Sequence, residues 1–361
     1  MTRNGEKILV AMSGGVDSST AAALLVEQGH QVTGVSLVLP QYGPEGARER
    51  TCCGRAGVDD ARAVAARLGI PFYPLDYREK FEKTVLADFV REYRAGRTPN
   101  PCVRCNEWVK FGMLLETAHA LEADCVATGH YARKAFREET GRWELRTGLG
   151  DDDQSYFLFS LSQEQLARAV FPVGDYAKEQ VRRMAQERGL PVHDKPSSQD
   201  LCFLPGGGYR RLLREQCPDL FRAGEIVHVS GEVLGTHGGI ADYTVGQRRG
   251  LGVAWREPLY VVALEPDENR VIVGEKEHVL RRECTVGELN WVGLAEPSAP
   301  FRAHVRIRHR HSPAAATVEL IGGGRARVRF DEPQEAPTPG QAAVFYGGEV
   351  VLGGGFIEDA R

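Results

Sequence analysis

The sequence predicts an α/β protein: a parallel β-sheet covered by helices on both faces, then a small central β-rich domain and a C-terminal β-barrel. In the first half of the chain, apolar strand-like segments alternate with helix-like segments, which is typical of parallel strands joined by crossover helices. From Gly224 onward the chain instead offers short strands broken by glycine, proline and asparagine, a pattern that favours barrels and sandwiches.

The predicted elements of the first half follow from apolar spacing. Strands are predicted at residues 8–12, 31–40, 71–77 and 124–129, and helices at residues 20–26, 59–68, 78–93 and 110–121. β-branched residues favour a strand at 31–40, whereas residues 78–93 are amphipathic with a helical period.

We divide the chain into three domains. The α/β domain covers residues 1–205, the small central domain residues 206–276, and the C-terminal β-barrel residues 277–361. The second boundary follows a hairpin-like unit that turns at residues 266–269.

Composition limits the function classes. The net charge is −4, from 45 basic and 49 acidic residues, so a nucleic-acid partner must be met by a local basic patch. We see neither a signal-peptide pattern nor an apolar stretch of membrane-spanning length, and expect a cytoplasmic protein that does not contact a membrane. Eight cysteines are too few for a secreted disulfide scaffold.

A glycine- and serine-rich loop follows the first predicted strand and precedes the first helix. It reads Ser13-Gly14-Gly15-Val16-Asp17-Ser18-Ser19. Glycines allow close approach of the backbone to a ligand, and the amides at a helix start can hold an anion. The loop contains no lysine for a γ-phosphate, so it is not a Walker loop. If the sequence matched this pattern only loosely, a plain turn with a helix N-cap would explain it. The full seven-residue string favours a nucleotide site.

This string resembles the phosphate loop of the ATP pyrophosphatases, which cleave ATP between the α- and β-phosphates and adenylate a substrate oxygen. That resemblance alone leaves open amidotransferases that make guanylate and synthetases that make argininosuccinate.

Further blocks narrow the choice. They are Gly96-Arg97-Thr98-Pro99-Asn100-Pro101-Cys102-Val103-Arg104-Cys105-Asn106, Ala127-Thr128-Gly129-His130-Tyr131, Asp153-Gln154-Ser155-Tyr156-Phe157, Asp200-Leu201-Cys202-Phe203 and Tyr243-Thr244-Val245-Gly246-Gln247-Arg248. In this order they resemble the tRNA-specific 2-thiouridylases over nearly the whole chain. The resemblance implies an ATP-pyrophosphatase domain, a small central domain and a C-terminal β-barrel.

The resemblance also implies the chemistry and the site residues. ATP, with Mg²⁺, would adenylate the C2 oxygen of the wobble uridine in the tRNA anticodon loop, and sulfur would replace that oxygen. Cys105 matches the nucleophile and Cys202 the persulfide carrier, which would be joined by a transient disulfide. A separate sulfur-donor protein is expected as a partner.

Other positions match binding residues of the family. The matches to ATP contacts are Ala11, Met12, Ser13, Gly14, Gly15, Val16, Asp17, Ser18, Leu37 and Gly129. Asn100, Pro101 and Cys102 match the segment that meets the target base, and Asp152, Asp153, Gln154, Arg308 and His309 match tRNA contacts.

Cys102 departs from the pattern, since relatives often have Asp there. Cys102, Cys105 and Cys202 could therefore hold a 4Fe–4S cluster, because cysteine thiolates ligate such clusters. A Cys-x-x-Cys spacing also occurs in redox and zinc sites, so it does not decide between routes. The resemblance at Cys105 and Cys202 favours the persulfide route. Cys52 and Cys53 have no assigned role.

Residues 301–312 are basic, with four arginines, three histidines and no acid. With period two, His304, Arg306, Arg308 and Arg310 are predicted to share one face of a strand. Alone this could be a solvated surface, and within the resemblance it favours tRNA binding.

Two alternative functions remain: an ATP pyrophosphatase acting on a small metabolite, and a tRNA-binding protein with an inactive nucleotide site.

Overall fold

The computed structural model describes residues 5–42, 54–196, 201–204 and 208–361. The chain divides into two compact units. The first unit consists of residues 1–85, 102–208 and 349–351, and the second of residues 86–101, 209–348 and 352–361.

The helices of the two units are short, apart from two near the start of the chain. In chain order they are α1 (Val16–Glu27), α2 (Arg55–Leu68), α3 (Arg78–Phe81), α4 (Ala87–Arg94), α5 (Pro101–Arg104), α6 (Leu114–Ala120), α7 (Gln163–Arg168), α8 (Lys178–Glu187) and α9 (Tyr209–Gln216). Two π-helical segments, Glu82–Leu86 and Cys105–Met113, continue α3 and α5. Among the described residues, short 3₁₀ turns lie in the first unit at Ser155–Phe157 and in the second unit at Pro218–Phe221, Ile240–Asp242 and Lys276–Val279.

A five-stranded parallel sheet is the centre of the first unit. Its strands are β1 (Lys7–Ala11), β2 (Gln31–Val38), β3 (Phe72–Asp76), β4 (Cys125–Ala127) and β7 (Ala169–Val170). The strand order is β3-β2-β1-β4-β7, and every pairing is parallel. The predicted parallel sheet is therefore confirmed.

The central strand β1 is buried because residues on both of its faces are apolar. Ile8 and Val10 are 1% and 0% exposed and belong to a core cluster with Ala22, Leu25 and Val64 of the flanking helices. Such a strand has no polar face, as expected where helices cover both sides of a sheet.

The four predicted helices exist, with shifted ends. Residues 78–93 form one helical run in which the π-helical segment Glu82–Leu86 joins α3 to α4. The predicted helix at residues 110–121 consists of the end of the π-helical segment Cys105–Met113 and of α6. A hairpin of β5 (Ala132–Arg137) and β6 (Arg142–Thr147), and also α8, were not predicted.

The second unit contains two all-β parts. In the central part, β8 (Gly224–His228), β9 (Val233–His237), β10 (Tyr260–Glu265) and β11 (Arg270–Gly274) form a sheet in the order β10-β11-β8-β9. β10 and β11 are antiparallel, and Glu265 pairs with Arg270, so the predicted hairpin around residues 266–269 is confirmed.

The last part of the second unit is a closed six-stranded barrel. Its strands are β12 (Leu280–Trp291), β13 (Phe301–Arg306), β14 (Ala314–Gly322), β15 (Arg325–Glu335), β16 (Ala342–Gly347) and β17 (Val350–Ala360). They follow the order β12-β15-β14-β13-β16-β17, and β12 also pairs with β17, which closes the barrel. Alternate residues such as Val305, Val318, Val328 and Phe345 fill its core. The predicted C-terminal β-barrel is confirmed.

The predicted basic strand face is wrong in its second half. β13 alternates as expected as far as Arg306, with Ala303 and Val305 buried. The strand ends there, and the His311 amide donates to the Arg308 carbonyl in a turn, 3.0 Å away. Arg308 and Arg310 are therefore exposed in a turn and do not extend the strand face.

Within the described residues, none of the helices has both the length and the apolar character that crossing a membrane requires.

Candidate active site

The glycine-rich loop lies where the order of the parallel sheet changes direction. The chain goes from β1 to β2 and β3 on one side, and β4 and β7 lie on the other side. In open α/β sheets, ligands bind outside the carboxyl ends of the strands at this point. The loop that follows β1 and the Thr128–His130 segment that follows β4 both begin there.

Hydroxyl groups hold the loop against the first turn of α1. The Ser13 amide donates to Ser18 Oγ at 3.1 Å, and Ser19 Oγ donates to the Gly15 carbonyl at 2.8 Å. α1 begins at Val16, and no side chain of the described residues caps it at Gly15. A helix start without such a cap offers its amides to an anion.

Two glycines allow the close approaches that form this loop. Gly14 has a φ of +69°, and a Cβ there would lie 2.2 Å from the Gly57 carbonyl oxygen. A Cβ on Gly129 would lie 2.5 Å from the Ser18 amide nitrogen. Any larger residue at these two positions forces backbone to move.

Asp17 is the acidic residue of the loop, and its charge is compensated by a lysine that is distant in the sequence but adjacent in space. Lys178 Nζ lies 2.6 and 2.5 Å from the two carboxylate oxygens, and the Tyr131 hydroxyl donates to the same carboxylate at 2.6 Å. Burial and the neighbouring Asp17 carboxylate raise the pKa of Tyr131, so its hydroxyl keeps its proton as a donor.

A second lysine contacts the loop from another direction. Lys195 Nζ donates to the Gly14 carbonyl at 3.0 Å and to Asp60 Oδ2 at 2.6 Å. Neither lysine was predicted from the sequence. They lie 161 and 181 residues from their loop partners, and their surroundings in the sequence contain no motif that connects them to it.

The remaining positions matched to ATP contacts lie beside the loop on β1 and β2. The side chain of Met12 is 1% exposed and belongs to the core. Its amide donates to the Val35 carbonyl at 2.7 Å, and Ser36 Oγ donates to its carbonyl at 2.5 Å. Ala11 ends β1, and Leu37, which is 9% exposed, lies on β2.

Cys105 begins the nine-residue π-helical segment and is buried, whereas Cys102 is half-buried. π-helical turns are rare and occur frequently at functional sites. The next residue fixes this turn, because Asn106 Nδ2 donates to the Phe157 carbonyl at 3.0 Å. Cys105 therefore lies in a firmly packed part of the first unit.

Cys202 is half-buried, and the residue after it anchors its segment. The Phe203 carbonyl accepts from the Tyr42 amide at 3.0 Å, and the Phe203 ring packs edge-on against Phe81 with centroids 5.0 Å apart. Cys52 and Cys53 lie outside the described residues.

The described residues, which include Cys102, Cys105 and Cys202, contain no group of three or more His, Cys, Asp or Glu side chains placed to hold a metal ion. This arrangement of the described side chains does not fit a 4Fe–4S cluster.

The positions matched to tRNA contacts differ in exposure. Asp152 is exposed, but Asp153 is buried, and its carboxylate accepts from the Gly148 and Ser155 amides at 3.0 Å each. Gln154 Oε1 accepts from the Tyr131 amide at 3.1 Å. Asp153 and Gln154 therefore fix the loop that presents Asp152.

The other matched positions lie at the boundary and in the second unit. Asn100 is 9% exposed, and Pro101 begins α5. In the second unit, Arg308 and His309 are exposed, and Arg308 Nη1 donates to the Glu335 carbonyl at 3.0 Å.

His130 lies next to Gly129, and its ring is surrounded by other side chains. Thr128 Oγ1 lies 2.7 Å from its Nδ1, and Phe111 and Phe171 pack around its ring. Burial, with a smaller effect of Lys110, lowers the pKa of His130 well below its ordinary value.

Comparisons with known proteins agree with this geometry. Residues 6–206 match a tRNA methyl transferase HUP domain, residues 211–275 a tRNA methyl transferase PRC-barrel domain, and residues 281–357 an aminomethyltransferase β-barrel domain. A tRNA-specific 2-thiouridylase MnmA from Heliobacterium modesticaldum is 49% identical over 98% of this chain and 92% of its own length. The chain belongs to the tRNA-specific 2-thiouridylase family.

A second 2-thiouridylase, from Geobacter metallireducens, is 50% identical over 100% of this chain and 99% of its own length. Among solved structures, a U34-tRNA thiolase NcsA from Methanococcus maripaludis with its [4Fe–4S] cluster is 19% identical. That match covers 60% of this chain and 69% of the thiolase, with a TM-score of 0.36, which is too low to carry an argument about this 2-thiouridylase.

Proposed function

We propose that this protein is an ATP-dependent tRNA sulfurtransferase that converts the wobble uridine of tRNA to 2-thiouridine. The observation that carries the proposal is the glycine-rich loop, which lies where the strand order of the parallel sheet changes direction and leads into a helix start without a side-chain cap. It lies in the same unit as the two cysteines that sulfur transfer requires. Membership of the 2-thiouridylase family supports the same activity.

In the first step, the loop holds the phosphates of ATP. The amides of the first turn of α1 and the serine hydroxyls favour negative charge. The C2 oxygen of the flipped wobble uridine attacks the α-phosphorus, the bond to the β-phosphate breaks, and pyrophosphate leaves. An adenylated oxygen is a far better leaving group than a uracil carbonyl oxygen.

In the second step, sulfur replaces the activated oxygen. The terminal sulfur of a Cys202 persulfide attacks C2, and AMP leaves with the oxygen. The Cys105 thiolate then attacks Sγ of Cys202, which breaks the S–S bond, releases 2-thiouridine and forms a Cys105–Cys202 disulfide. An external thiol reductant then reduces this disulfide, and a sulfur-donor protein reloads Cys202.

Mg²⁺ commonly binds one or two carboxylates together with substrate phosphates, so Asp17 is the residue that would hold it. When bound, it would neutralise charge on the triphosphate. For the cluster alternative, the described cysteines provide no fitting ligand set.

The target base is bound by Asn100, Pro101 and Cys102, and tRNA by Asp152, Asp153, Gln154, Arg308 and His309. The buried Asp153 acts indirectly, by fixing the loop. Since its tRNA substrate is used by ribosomes, we place the enzyme in the cytoplasm. A small-metabolite substrate or an inactive nucleotide site is not favoured, because the family match covers nearly the whole chain.

The release of AMP and pyrophosphate, measured with and without tRNA, tests this proposal. We expect release only with a tRNA that has uridine at the wobble position, and loss of release in Asp17→Ala with tRNA binding retained. Equal release with a small metabolite and no tRNA would overturn the proposal.

A further inference from the structure

We infer that Gln165 is a positioning residue for the thiol of Cys105, because it holds the π-helical segment Cys105–Met113 in its register. The inference rests on the proposed function, in which Cys105 performs the last bond exchange. Gln165 lies on α7, and 58 residues separate it in the chain from Glu107, which it contacts. The sequence blocks that identified the site do not include it.

The first observation is a hydrogen bond from α7 to the π-helical segment. Gln165 Nε2 donates to the Glu107 carbonyl at 3.0 Å. The other end of the same side chain belongs to a capping box: Gln165 Oε1 accepts from the Ser162 amide at 2.9 Å, and Ser162 Oγ accepts from the Gln165 amide at 3.2 Å. The start of α7 therefore fixes the side-chain amide that contacts the segment of Cys105.

The carbonyl that receives this bond is placed by the π register. In a π-helix each carbonyl faces the amide five residues on, which for Glu107 is the amide of Gly112. A Cβ on Gly112 would lie only 3.0 Å from the Glu107 carbonyl oxygen and 4.0 Å from Gln165 Nε2. Most π-helical segments are single turns, whereas this one has nine residues. We attribute its length to contacts from outside, namely Gln165 at the Glu107 carbonyl and the bond from Asn106 to the Phe157 carbonyl.

The register decides where the Cys105 side chain points. Val109 and Phe111 are fully buried and fix the later part of the segment in the core. Successive residues of an α-helix are turned by about 100° around its axis. If the segment relaxed to an α-helix, the part before the lost π turn, including Cys105, would rotate by about that angle relative to the core. A displacement of about 1 Å is enough to cost about 100-fold in rate, so Cys105 would no longer attack Cys202 efficiently.

The proposed mechanism says which intermediate would then accumulate. Adenylation and the attack of the Cys202 persulfide on C2 do not use Cys105, so both would still occur. The uridine would stay joined through its C2 sulfur to Sγ of Cys202, because Cys105 normally breaks this S–S bond. Dithiothreitol can replace Cys105: one of its thiolates attacks Sγ, 2-thiouridine leaves, and its second thiol closes the ring and releases the Cys202 thiol.

Gln165→Glu tests the inference, because an ionised glutamate still accepts from the Ser162 amide but cannot donate to the Glu107 carbonyl. Gln163→Glu is the matched control on the same helix. It adds the same charge, still accepts from the Trp143 amide, and loses only the 3.0 Å bond from Gln163 Nε2 to the Trp143 carbonyl.

The full chain of each variant is loaded with persulfide, freed of reductant and given one turnover with ATP, Mg²⁺ and tRNA at pH 8. Pyrophosphate release reports the first step, denaturing electrophoresis reports a covalent enzyme–tRNA adduct, and mass spectrometry reports 2-thiouridine. We expect Gln163→Glu to match the wild type in all three. Gln165→Glu should release pyrophosphate normally, form 2-thiouridine at least about tenfold more slowly, and accumulate an adduct that yields 2-thiouridine on addition of dithiothreitol.

Release of 2-thiouridine by Gln165→Glu at the wild-type rate without reductant would overturn the inference. Slower pyrophosphate release in this variant would also overturn it, since Gln165 would then support the first unit as a whole. The same holds for slow thiolation without an adduct that dithiothreitol resolves. 2-Thiouridine formed by the wild type in the same experiment shows that the proposed function stands even if the inference fails.

Discussion

At the residue scale, Cys105 and Cys202, the two cysteines that we propose react, are fixed through their neighbours in the chain. Asn106 anchors the turn that begins at Cys105, and Phe203 anchors the segment of Cys202 by a backbone bond and a ring contact. Cys102, where relatives often have Asp, is half-buried at the start of the same helical run. The persulfide route assigns it no chemical step.

At saturating tRNA, Cys102→Ala should therefore keep most of its thiolation activity, whereas Cys105→Ala and Cys202→Ala should lose it. The reason is that only the latter two exchange sulfur in the proposed mechanism. Thiolation is measured on anaerobically purified protein, with iron analysis and a visible spectrum of the same samples. A stoichiometric iron–sulfur chromophore that disappears in Cys102→Ala, along with activity, would contradict the persulfide route.

At the scale of elements, the segments that follow β1 and β4 form the proposed nucleotide site, and glycines let these segments approach each other. The sequence predicted this loop well, because SGGVDSS between a strand and a helix is a local pattern. It could not predict the ion pair of Asp17 with Lys178 or the contact of Lys195 with Gly14, since both join residues distant in sequence. The β5–β6 hairpin was missed because its polar residues do not alternate as in a half-buried strand.

Gly129→Ala should reduce ATP affinity at least about tenfold. The new Cβ would lie 2.5 Å from the Ser18 amide and push the start of α1 out of place. The measurement is the rise in melting temperature on addition of ATP. Gly238→Ala is the matched control, since its Cβ would meet no atom of the described residues within 4 Å. An ATP-induced rise equal to that of the wild type in Gly129→Ala would disprove this reading of the loop.

The packed environment of His130 predicts a loss of stability in acid. Its pKa is lowered in the folded state, so the unfolded chain binds the proton more readily and stability falls as the pH drops below about 6.5. The protein should therefore be less stable at pH 5.5 than at pH 6.5. Chemical unfolding of the wild type and of His130→Asn at both pH values measures it. Equal pH dependence in the two proteins would show that His130 is not held neutral.

At the scale of the whole molecule, a net charge of −4 must be reconciled with a polyanionic substrate. Exposed basic residues of the barrel, Arg308, His309 and Arg310, provide a local positive surface in a turn. The sequence predicted the barrel and the basic segment but extended the strand too far. Period-two alternation continues through Ile307 and does not reveal the turn that follows β13.

The double variant Arg308→Gln and Arg310→Gln should weaken tRNA binding and flatten its salt dependence by about one unit of slope per lost phosphate contact. ATP affinity without tRNA should not change. The measurement is a tRNA titration at several salt concentrations. Arg302→Gln is the control, because Arg302 on the same segment is paired with Asp331 at 2.5 Å. If the salt slope does not differ between the double variant and the control, the turn is an ordinary solvated surface that does not contact tRNA phosphates.

The central claim is that one chain adenylates the wobble uridine and then replaces its C2 oxygen with sulfur. Mass spectrometry of nucleosides from tRNA incubated with the enzyme, ATP, Mg²⁺ and a persulfide source tests both steps directly. We predict 2-thiouridine at the wobble position in the wild type, adenylated but unthiolated tRNA in Cys202→Ala, and unmodified tRNA in Asp17→Ala. Unmodified wobble uridine with the folded wild-type enzyme under these conditions would contradict the account.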